Sequence, residues 1–450
     1  MLTIKPAKEM HGRVELPPNP DFYFLTLVLA LTAERPVKVA PVTDAPVFDH
    51  WDERFEAALR IEKQQGQRMI TPRQQDGASF IKLPYMSLPY PELVVFMLLG
   101  MGKTVGFDSI PDSRIESWQK LAGKVGCTIE TSLMNDTTCL SLASFDNLMP
   151  GSRTVVPDEI HAFLGLAIGA KKPLSFVIEH IFSSPLRHIA GIFGYELTAR
   201  SNAPLKESDP LARRIRMMQA KKKVEAKQSF TVEVRFAGLD EKTETIEVKL
   251  PGDDLLGATL LVAKSLVQKG GLVIANMPLE SWNCATLSYI RKMGCKCGIQ
   301  EEGQSSYGKT GMVQLQRFKM IGRKTECTPL FHYRRYLPAM VVLSTFATGQ
   351  SVFRGLEDLR NDTPDPIEQM LQCVRLIGGR HGEMPDGMVI DGAKQTDGFD
   401  LSENLPVSYT GPCAAAGLRC PGETNIEDEA LTTRWPSFEE LLKNLCEYRT

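Results

Sequence analysis

Three basic side chains, His332, Arg334 and Arg335, stand together just before a predicted helix. Guanidinium groups bind carboxylates and phosphates through paired hydrogen bonds. A helix N-terminus adds free N–H groups and the positive end of the helix dipole. The grouping is typical of an anion-binding site, and a solvated basic loop is the alternative interpretation.

Two cysteines, Cys295 and Cys297, occupy alternate positions of a predicted strand, so both thiols could reach one metal ion. No second pair of Cys or His follows at the spacing of a zinc finger, and Cys413 and Cys420 have no histidine nearby. We therefore predict half-buried free thiols here, with no metal site and no cofactor.

Two further basic segments meet the requirements of a phosphate or nucleic-acid site only in part. LGMGKT, from Leu99 to Thr104, has Met97 where a phosphate-binding loop needs its first glycine, and it leads from a helix to a strand, the wrong direction. The run from Arg213 to Lys227 could grip phosphate or nucleic acid. We interpret it instead as a solvated helix between two halves of the chain.

The overall composition excludes several classes of protein. The 450 residues carry a formal net charge of −2, are 43% hydrophobic and 24% charged, and are enough for two or three domains. The longest apolar run, Phe22 to Ala33, is too short to span a bilayer. The start of the chain lacks the apolar core of a secretory signal, and the ten cysteines are scattered. We therefore expect a cytoplasmic protein with reduced thiols.

An internal repeat must position these side chains. An apolar helix, a Gly or Pro and a short strand recur about six times, for example from Leu98 and from Val267. A second pattern, a helix ending in Gly before another strand, begins at Trp118, Leu186, Leu287 and Met370. The glycine fits a left-handed helix C-cap. The alternating order indicates several copies of one βαβαββ unit in an α/β fold.

The repeats fall into two halves, before residue 200 and after residue 250. Between them, residues 201–230 are polar and basic, and FTVEVRFAG and TETIEVKL read as the two strands of a hairpin. We predict one domain of residues 21–250 and a second of residues 251–450, which also includes the strand in residues 1–20.

Four segments match one known family in order, across nearly the whole chain. They are GRVELPPNPDFYFLTLVLALTAE from Gly12, GDDLLGATLLVAKSLVQKGGLVIANM from Gly252, the stretch from Tyr336 to Gly379, and RWPSFEELLKNL from Arg434. The chain resembles the EPSP synthase (3-phosphoshikimate 1-carboxyvinyltransferase), or enolpyruvyl transferase, family. The resemblance implies a two-domain inside-out α/β barrel of six βαβαββ units, with helices inside, sheets outside and a ligand cleft between the domains.

The resemblance also implies a reaction of the shikimate pathway, in aromatic amino acid biosynthesis. In this family a hydroxyl of a phosphorylated acceptor attacks phosphoenolpyruvate, and phosphate leaves. The cleft must hold two anions with Lys and Arg, and acidic residues must deliver and remove a proton.

Most family motifs are replaced in the first half. Pro20 and Asp21 stand at the family's Lys-Ser, and Leu25 stands at its next arginine. Met86 to Tyr90 replaces a Gly-Asn-Ala-Gly-Thr loop that cradles phosphate. A proline cannot bind a phosphate through its side chain, and an aspartate repels it.

The second half departs from the family in the same way. Arg335 replaces an Asp, while Asp362 and Thr363 replace a Lys-Glu pair. The segment from Val407 to Tyr409 replaces Asp-His-Arg. Arg434 keeps the charge of the last cleft lysine but not its proton-transfer ability. Standard enolpyruvyl transfer therefore lacks most of its usual catalytic groups, and we assign no catalytic residue.

A few side chains remain compatible with an anionic ligand. We predict that they line the cleft: Arg114, Ser183, Ser184, Arg187, Arg335, Arg360 and Arg434. Arg187 and Arg434 could instead be surface charges, His188 could be a packed histidine, and Asp253 could simply cap a helix. With so few anion contacts across the cleft, we expect the free protein to be open.

Three functional hypotheses follow. The chain is a transferase of the 3-phosphoshikimate 1-carboxyvinyltransferase type, repurposed for a non-shikimate acceptor, or it is an inactive relative that binds a metabolite or a protein partner. An RNA-cyclase-like enzyme is a poor third, because the charge is near neutral and the cyclase histidine motif is missing. The expected partner is a small anionic metabolite bound to a monomer, without nucleic acid or membrane. A cleft rich in Arg with a perturbed acid favours an enzyme, and an apolar cleft favours an inactive relative.

Overall fold

A computed structural model describes most of the chain. The described residues are 1–73, 80–85, 88–124, 126–144, 155, 159–179, 184–202, 229–327, 334–392, 397–403, 405–427 and 429–449. Within these ranges, no helix is long and apolar enough to cross a membrane.

Helices and strands alternate along the first 250 residues. The helices are α1 (Pro20–Ala30), α2 (Pro46–Phe55), α3 (Pro91–Gly100), α4 (Asp112–Lys124), α5 (Glu159–Gly169) and α6 (Leu186–Ile192). The strands are β1 (Leu2–Ile4), β2 (Ala7–Met10), β3 (Gly12–Glu15), β4 (Val37–Ala40), β5 (Leu59–Gln64), β6 (Gln67–Pro72), β7 (Phe80–Leu83), β8 (Thr104–Phe107), β9 (Thr128–Met134), β10 (Thr137–Ser144), β11 (Leu174–Ile178), β12 (Tyr195–Ser201), β13 (Phe230–Phe236) and β14 (Ile246–Lys249).

The alternation continues to the end of the chain. The helices are α7 (Asp254–Leu266), α8 (Ala285–Lys292), α9 (Leu337–Thr345), α10 (Pro366–Leu376), α11 (Val407–Gly417), α12 (Glu429–Arg434) and α13 (Phe438–Leu445), with a 3-10 turn at Glu357–Asn361. The strands are β15 (Leu272–Pro278), β16 (Cys297–Ser305), β17 (Gly308–Leu315), β18 (Lys324–Glu326), β19 (Gln350–Arg354), β20 (Arg380–Met384), β21 (Gly387–Asp391), β22 (Asp400–Leu401), β23 (Thr424–Ile426) and β24 (Cys446–Tyr448). The mixed α/β class predicted from the repeats is confirmed.

The strands form small sheets rather than one continuous sheet. Among the described strands, the orders are β14-β4-β6-β5, β7-β8-β10-β9, β11-β13-β12, β16-β17-β15-β3, β18-β19-β21-β20 and β1-β23-β22, with a separate β2-β24 pair. Most of these sheets combine one parallel pair with antiparallel neighbours; β15, for example, runs parallel to β3 and antiparallel to β17.

Six of the described helices are buried on nearly all sides, namely α1, α3, α5, α7, α9 and α11. Their sequences are apolar around the whole circumference, which is the pattern of a core helix. Glycines let α3 and α5 approach closely. A Cβ on Gly165 would lie 2.3 Å from the backbone oxygen of Leu93, and one on Gly169 would lie 2.0 Å from that of Met97.

The buried apolar side chains form two clusters. One contains residues of 2–16 and 255–446, and the other contains residues of 22–250. Trp282 and Tyr307 are exceptions, because they come from the second half of the chain but pack in the cluster of the first. The two connections between the halves run side by side, since Asn19 N donates to Pro251 O at 2.9 Å and Asp253 N donates to Pro17 O at 2.7 Å.

The predicted helix C-caps are confirmed, and the predicted hairpin is wrong. Gly126, Gly194, Gly294 and Gly378 end the four segments chosen from the sequence, and all have positive φ. The segments FTVEVRFAG and TETIEVKL do form strands, but β13 lies between β11 and β12, whereas β14 pairs in parallel with β4 in another sheet. Each strand thus covers a different part of the core, which local alternation cannot reveal.

Candidate functional site

A cavity of about 510 Å³ lies among residues from both halves of the chain. We call it the central cavity. Its walls are largely apolar and aromatic, with Trp51, Tyr85, Tyr90, Met370 and Tyr409 among them. Its ionisable lining includes four carboxylates and three guanidinium groups, from Asp21, Glu92, Asp362 and Glu429, and from Arg334, Arg335 and Arg434.

The N-termini of α1 and α7 meet beside this cavity, and both are capped by the chain itself. Asn19 accepts hydrogen bonds from Asp21 N at 2.9 Å and Phe22 N at 3.2 Å. Asp253 accepts from the N–H groups of the first turn of α7, at 3.0 and 3.3 Å. The helix N–H groups that would bind a ligand anion are therefore already paired at these two ends. The capping interpretation of Asp253 is confirmed.

A cluster of ion pairs fills the space between these two N-termini. We call it the Asp21 cluster, and it comprises Asp21, Asp253, Asp254, Arg335 and Arg434. Arg434 binds both Asp21 oxygens, at 2.8 and 3.0 Å, and both Asp253 oxygens, at 2.8 and 3.0 Å. Arg335 donates to Asp21 and, at 3.1 Å, to Asp254. All five side chains are at most 15% exposed, so solvent screens these pairs little.

The cluster shifts the pKa values of Asp21 and Asp254 in opposite directions. Burial alone would raise the pKa of Asp21, but the guanidinium groups of Arg434 and Arg335 outweigh burial and hold this pKa at about 2. Burial raises the pKa of Asp254, and Arg335 offsets this only in part, because Asp253 and Asp21 repel the charge. The oxygens of Asp254 accept hydrogen bonds from Tyr336 and, at 2.8 Å, from Asn19.

A second cluster, the Asp362 cluster, joins the halves at another edge of the cavity. Asp362 accepts from Arg114 Nε at 3.0 Å, from Tyr85 at 2.8 Å and from Arg334. Arg114 also donates to Glu92 at 3.1 Å. Because Arg114 comes from the first half and Asp362 from the second, these bonds bridge the two halves.

Tyr90 immediately precedes α3 and occupies its N-cap position. Its φ of 50° lies in the left-handed region, which is strained for a tyrosine. The guanidinium of Arg335 lies 5.5 Å from the centre of its ring, and Arg335 Nη1 donates to its hydroxyl at 3.2 Å. Tyr90 thus contacts Arg335 in addition to the carboxylates.

Aromatic side chains from the second half of the chain also pack against the first half. Tyr307 is 1% exposed, stacks on Phe22 at 4.6 Å, and bonds Phe22 O at 2.8 Å and Thr26 Oγ1 at 2.7 Å. Trp282 packs edge-on against the same Phe22 ring at 5.2 Å. The two halves are therefore joined by buried aromatic contacts as well as by ion pairs.

The structure brings three of the predicted site residues to the cavity region. Arg335 and Arg434 belong to the Asp21 cluster, and Arg114 belongs to the Asp362 cluster. The basic group of Arg334 and Arg335 does bind anions, but they are carboxylates of the same chain. His332 lies outside the described residues.

The other predicted site residues that the structure describes lie elsewhere. Arg360 donates to Asp365 at 2.6 Å and to Glu383 at 3.1 Å, and it does not line the central cavity. Arg187 is exposed and does not line it either. Ser184 is buried, and its hydroxyl accepts from Leu186 N at 3.3 Å. Ser183 lies outside the described residues.

The expectation of an open protein rested on missing anion contacts across the cleft. That premise is wrong, because Asp21 and Asp362 supply such contacts from within the chain. The sequence comparison missed Asp254, Tyr336 and Glu92 as members of the network. One feature of the sequence could have predicted this ion-pair network: the acids Asp21 and Asp362 stand where the family places neutral or cationic groups.

The cysteines form no candidate metal centre among the described residues. Cys295 donates to Gln316 O at 3.3 Å, just before β16 begins at Cys297. Burial raises the pKa of both thiols, that of Cys297 to about 12.

More than half of the chain matches the model of one protein family. A family model described as EPSP synthase (3-phosphoshikimate 1-carboxyvinyltransferase) matches residues 198–442, more than half of the chain. The chain therefore belongs to the EPSP synthase family. Residues 1–197, which include Asp21 and the start of α3, lie outside the match.

Curated relatives match at modest identity. The 3-phosphoshikimate 1-carboxyvinyltransferase of Desulfitobacterium hafniense (strain Y51) is 25% identical over 202 residues, covering 45% of this chain and 46% of that protein. The enzyme of that name from Novosphingobium aromaticivorans is 27% identical over 207 residues, covering 44% and 46%. The chain thus spans about half the length of the curated relatives it matches.

Solved structures match over nearly the whole chain. EPSP synthase from Acinetobacter baumannii superposes with a TM-score of 0.66 at 15% identity, covering 100% of this chain and 99% of that one. The enolpyruvyl transferase NikO from Streptomyces tendae superposes with a TM-score of 0.62 at 15% identity, covering 100% and 98%. At this identity the likeness establishes the fold alone.

Proposed function

We propose that this chain is an EPSP synthase-family protein that binds a small molecule in the cleft between its halves without catalysing phosphoenolpyruvate-dependent transfer. The observation that carries the proposal is the position of the Asp21 carboxylate, which is bound by the guanidinium groups of Arg335 and Arg434. In this proposal Asp21 occupies the place that a substrate anion takes in an active relative.

Charge balance supports the proposal. Among the described lining residues, the Asp, Glu and Arg side chains are four carboxylates and three guanidinium groups, so these residues leave no surplus of positive charge for a phosphate or carboxylate ligand. Burial, ahead of the repulsion from Arg54, also lowers the pKa of His50, which disfavours a further cation. Because breaking a buried ion pair costs about 3–5 kcal/mol, a substrate anion would have to displace Asp21 or Asp362 at that expense.

The missing proton chemistry supports the same conclusion. Asp254 has a raised pKa, as a general acid needs. It does not line the central cavity, however, and Arg335, Tyr336 and Asn19 already donate to its oxygens. Val407 and Ser408, at the family's Asp-His positions, cannot transfer protons as those side chains do. A repurposed transferase is therefore the less supported of the two hypotheses.

The character of the lining favours an uncharged ligand. Aromatic rings and five prolines line much of the cavity, and its 510 Å³ suits a small organic molecule. The small anionic metabolite expected from the sequence remains a prediction, and the same experiment decides between the two ligand classes.

The finer architecture is also part of the proposal. Six βαβαββ units in an inside-out barrel are supported by the six core helices and the small sheets. The predicted domains, 21–250 and 251–450 with 1–20, are supported by the two apolar clusters. A cytoplasmic location and a monomeric state remain predictions.

Binding measurements on the purified protein test the ligand class. The neutral fluorescent probe N-phenyl-1-naphthylamine should bind saturably, and Ala430→Phe, which fills the cavity, should weaken its binding at least tenfold. The matched control is Ala237→Phe, an exposed position outside the cavity. Shikimate 3-phosphate, titrated by calorimetry with and without phosphoenolpyruvate, should give no binding. Saturable binding of shikimate 3-phosphate that Ala430→Phe abolishes would overturn the proposal.

A further inference from the structure

A second concave site lies away from the central cavity and shares no lining residue with it. We call it the basic pocket. It has a volume of about 420 Å³ and lies where β2, β24 and the C-terminal ends of α7, α9 and α11 come together.

The basic pocket has an unbalanced positive charge. Of the residues that the structure describes, five cations and no carboxylate line it, namely Lys8, Lys269, Arg317, Arg419 and Arg449. Among the described residues, Lys8 alone of these has a carboxylate partner, Glu447 at 4.0 Å. This contrasts with the central cavity, where each arginine is paired.

A buried ammonium group adds to this charge. Lys264 is 4% exposed, and its Nζ donates to the backbone oxygens of Val267, Lys269 and Gly270 at 3.2, 2.8 and 2.9 Å. These residues form the loop that carries Lys269 into the pocket. Burial lowers the pKa of Lys264, and the nearby Glu9 carboxylate opposes that shift.

Helix dipoles do not account for this many cations. Three helices end here, with C-caps at Val267, Phe346 and Leu418. Each helix C-terminus corresponds to about half a negative charge, so together they offset about 1.5 positive charges. With Lys8 set aside because Glu447 pairs with it, the four charges of Lys269, Arg317, Arg419 and Arg449 still exceed this offset.

Apolar side chains complete the pocket. Phe346, Met320 and Val267 line it together with the cations. A neighbouring depression of about 510 Å³ shares Phe346, Met320 and Arg317 and adds Phe318. An anionic group at the arginines would therefore have room for an attached ring over Phe346.

We propose that the basic pocket binds a phosphorylated small molecule that carries an aromatic ring. Arg317 and Arg419 hold the phosphate through charge-assisted hydrogen bonds, and Phe346 and Met320 contact the ring. A cavity of this size is typical of small-ligand sites. The proposal does not depend on what the central cavity binds.

Calorimetric titration of the full chain tests it, with ATP as the probe and inorganic pyrophosphate as the ring-free comparison. The wild type should bind both saturably, ATP more tightly, and affinity should fall as salt rises. Arg317→Ala with Arg419→Ala should weaken both by roughly tenfold or more. The control double variant, Lys120→Ala with Arg380→Ala, removes two exposed cations from other surfaces and should bind as the wild type does.

Further variants separate the alternatives. Phe346→Ala should weaken ATP binding several-fold and leave pyrophosphate binding unchanged, with the melting temperature recorded to verify folding. The proposal is overturned if the wild type shows no saturable ATP binding, or if the arginine variant lowers only the melting temperature, because the cations then merely offset helix ends. Loss of ATP binding in Ala430→Phe also overturns it, since ATP would then occupy the central cavity.

Discussion

The substitution Asp21→Asn should convert an internal ion pair into a site for an external anion. Asn keeps the shape of the side chain and removes its charge. In the wild type, Asp21 accepts three hydrogen bonds from Arg335 and Arg434. After the change, these two buried guanidinium groups retain Asp253 and Asp254 but have lost one negative charge.

The magnitude follows from the burial of the cluster. Breaking a buried ion pair on one side costs about 3 kcal/mol or more, which corresponds to a fall of roughly 5–10 °C in melting temperature. An added anion that restores the missing charge should recover part of this loss. A ligand at 100 times its Kd adds about 2.7 kcal/mol to the free energy of unfolding.

Thermal unfolding measures both effects. In an anion-poor buffer, Asp21→Asn should melt below the wild type, and millimolar phosphate or phosphoenolpyruvate should raise its melting temperature by several degrees. The same additions should leave the wild type almost unchanged. Asp386→Asn, which removes an exposed carboxylate 3.9 Å from Arg354, is the control and should behave as the wild type. Equal stabilisation of wild type and Asp21→Asn by phosphate would refute the reasoning.

Three further outcomes are expected. The pKa of Asp21 falls from 3.8 to about 2 on folding, so its contribution is present above pH 4 and is lost as the pH falls to about 2. The difference in urea unfolding free energy between wild type and Asp21→Asn should therefore shrink by about 2 kcal/mol across that range, and a constant difference would argue against the ion pairs. Tyr307→Phe removes two buried hydrogen bonds and should lower the free energy of unfolding in urea by about 1–3 kcal/mol; no change would mean that the hydroxyl is dispensable to the contact between the halves. Gly169→Ala places a Cβ 2.0 Å from Met97 O and should lower the melting temperature. Gly123→Ala has open space around the new Cβ and should preserve or raise the melting temperature, because Ala is favoured over Gly in a helix by roughly 1 kcal/mol. Equal melting temperatures for these two glycine variants would contradict the close packing of α3 on α5.

Local features of the fold could be predicted from the sequence because short-range physics determines them. A helical period that ends in glycine fixes a C-cap, and Gly126, Gly194, Gly294 and Gly378 all take the expected positive φ. All-round apolar helices such as α3 and α5 indicate a core position in the same way. Strand partners are different, because β13 and β14 are close in sequence yet pair in separate sheets.

The candidate site could be predicted only in part. The sequence shows that Asp21 and Asp362 replace the expected family residues, and that Arg335 and Arg434 are arginines. It does not show that these changes compensate one another, since Asp21 and Arg434 are separated by 413 positions. The pairing depends on the three-dimensional approach of α1, α7 and α12, and only the fold supplies that information.

Phosphate release from phosphoenolpyruvate and shikimate 3-phosphate, measured with concentrated purified protein against a heat-killed control, is the decisive measurement. If the carboxylates of Asp21 and Asp362 have replaced the substrate anions, the wild type releases no phosphate above the control. Release above the control, proportional to protein concentration, would show that the internal ion pairs open for substrate and that the family reaction survives in this chain.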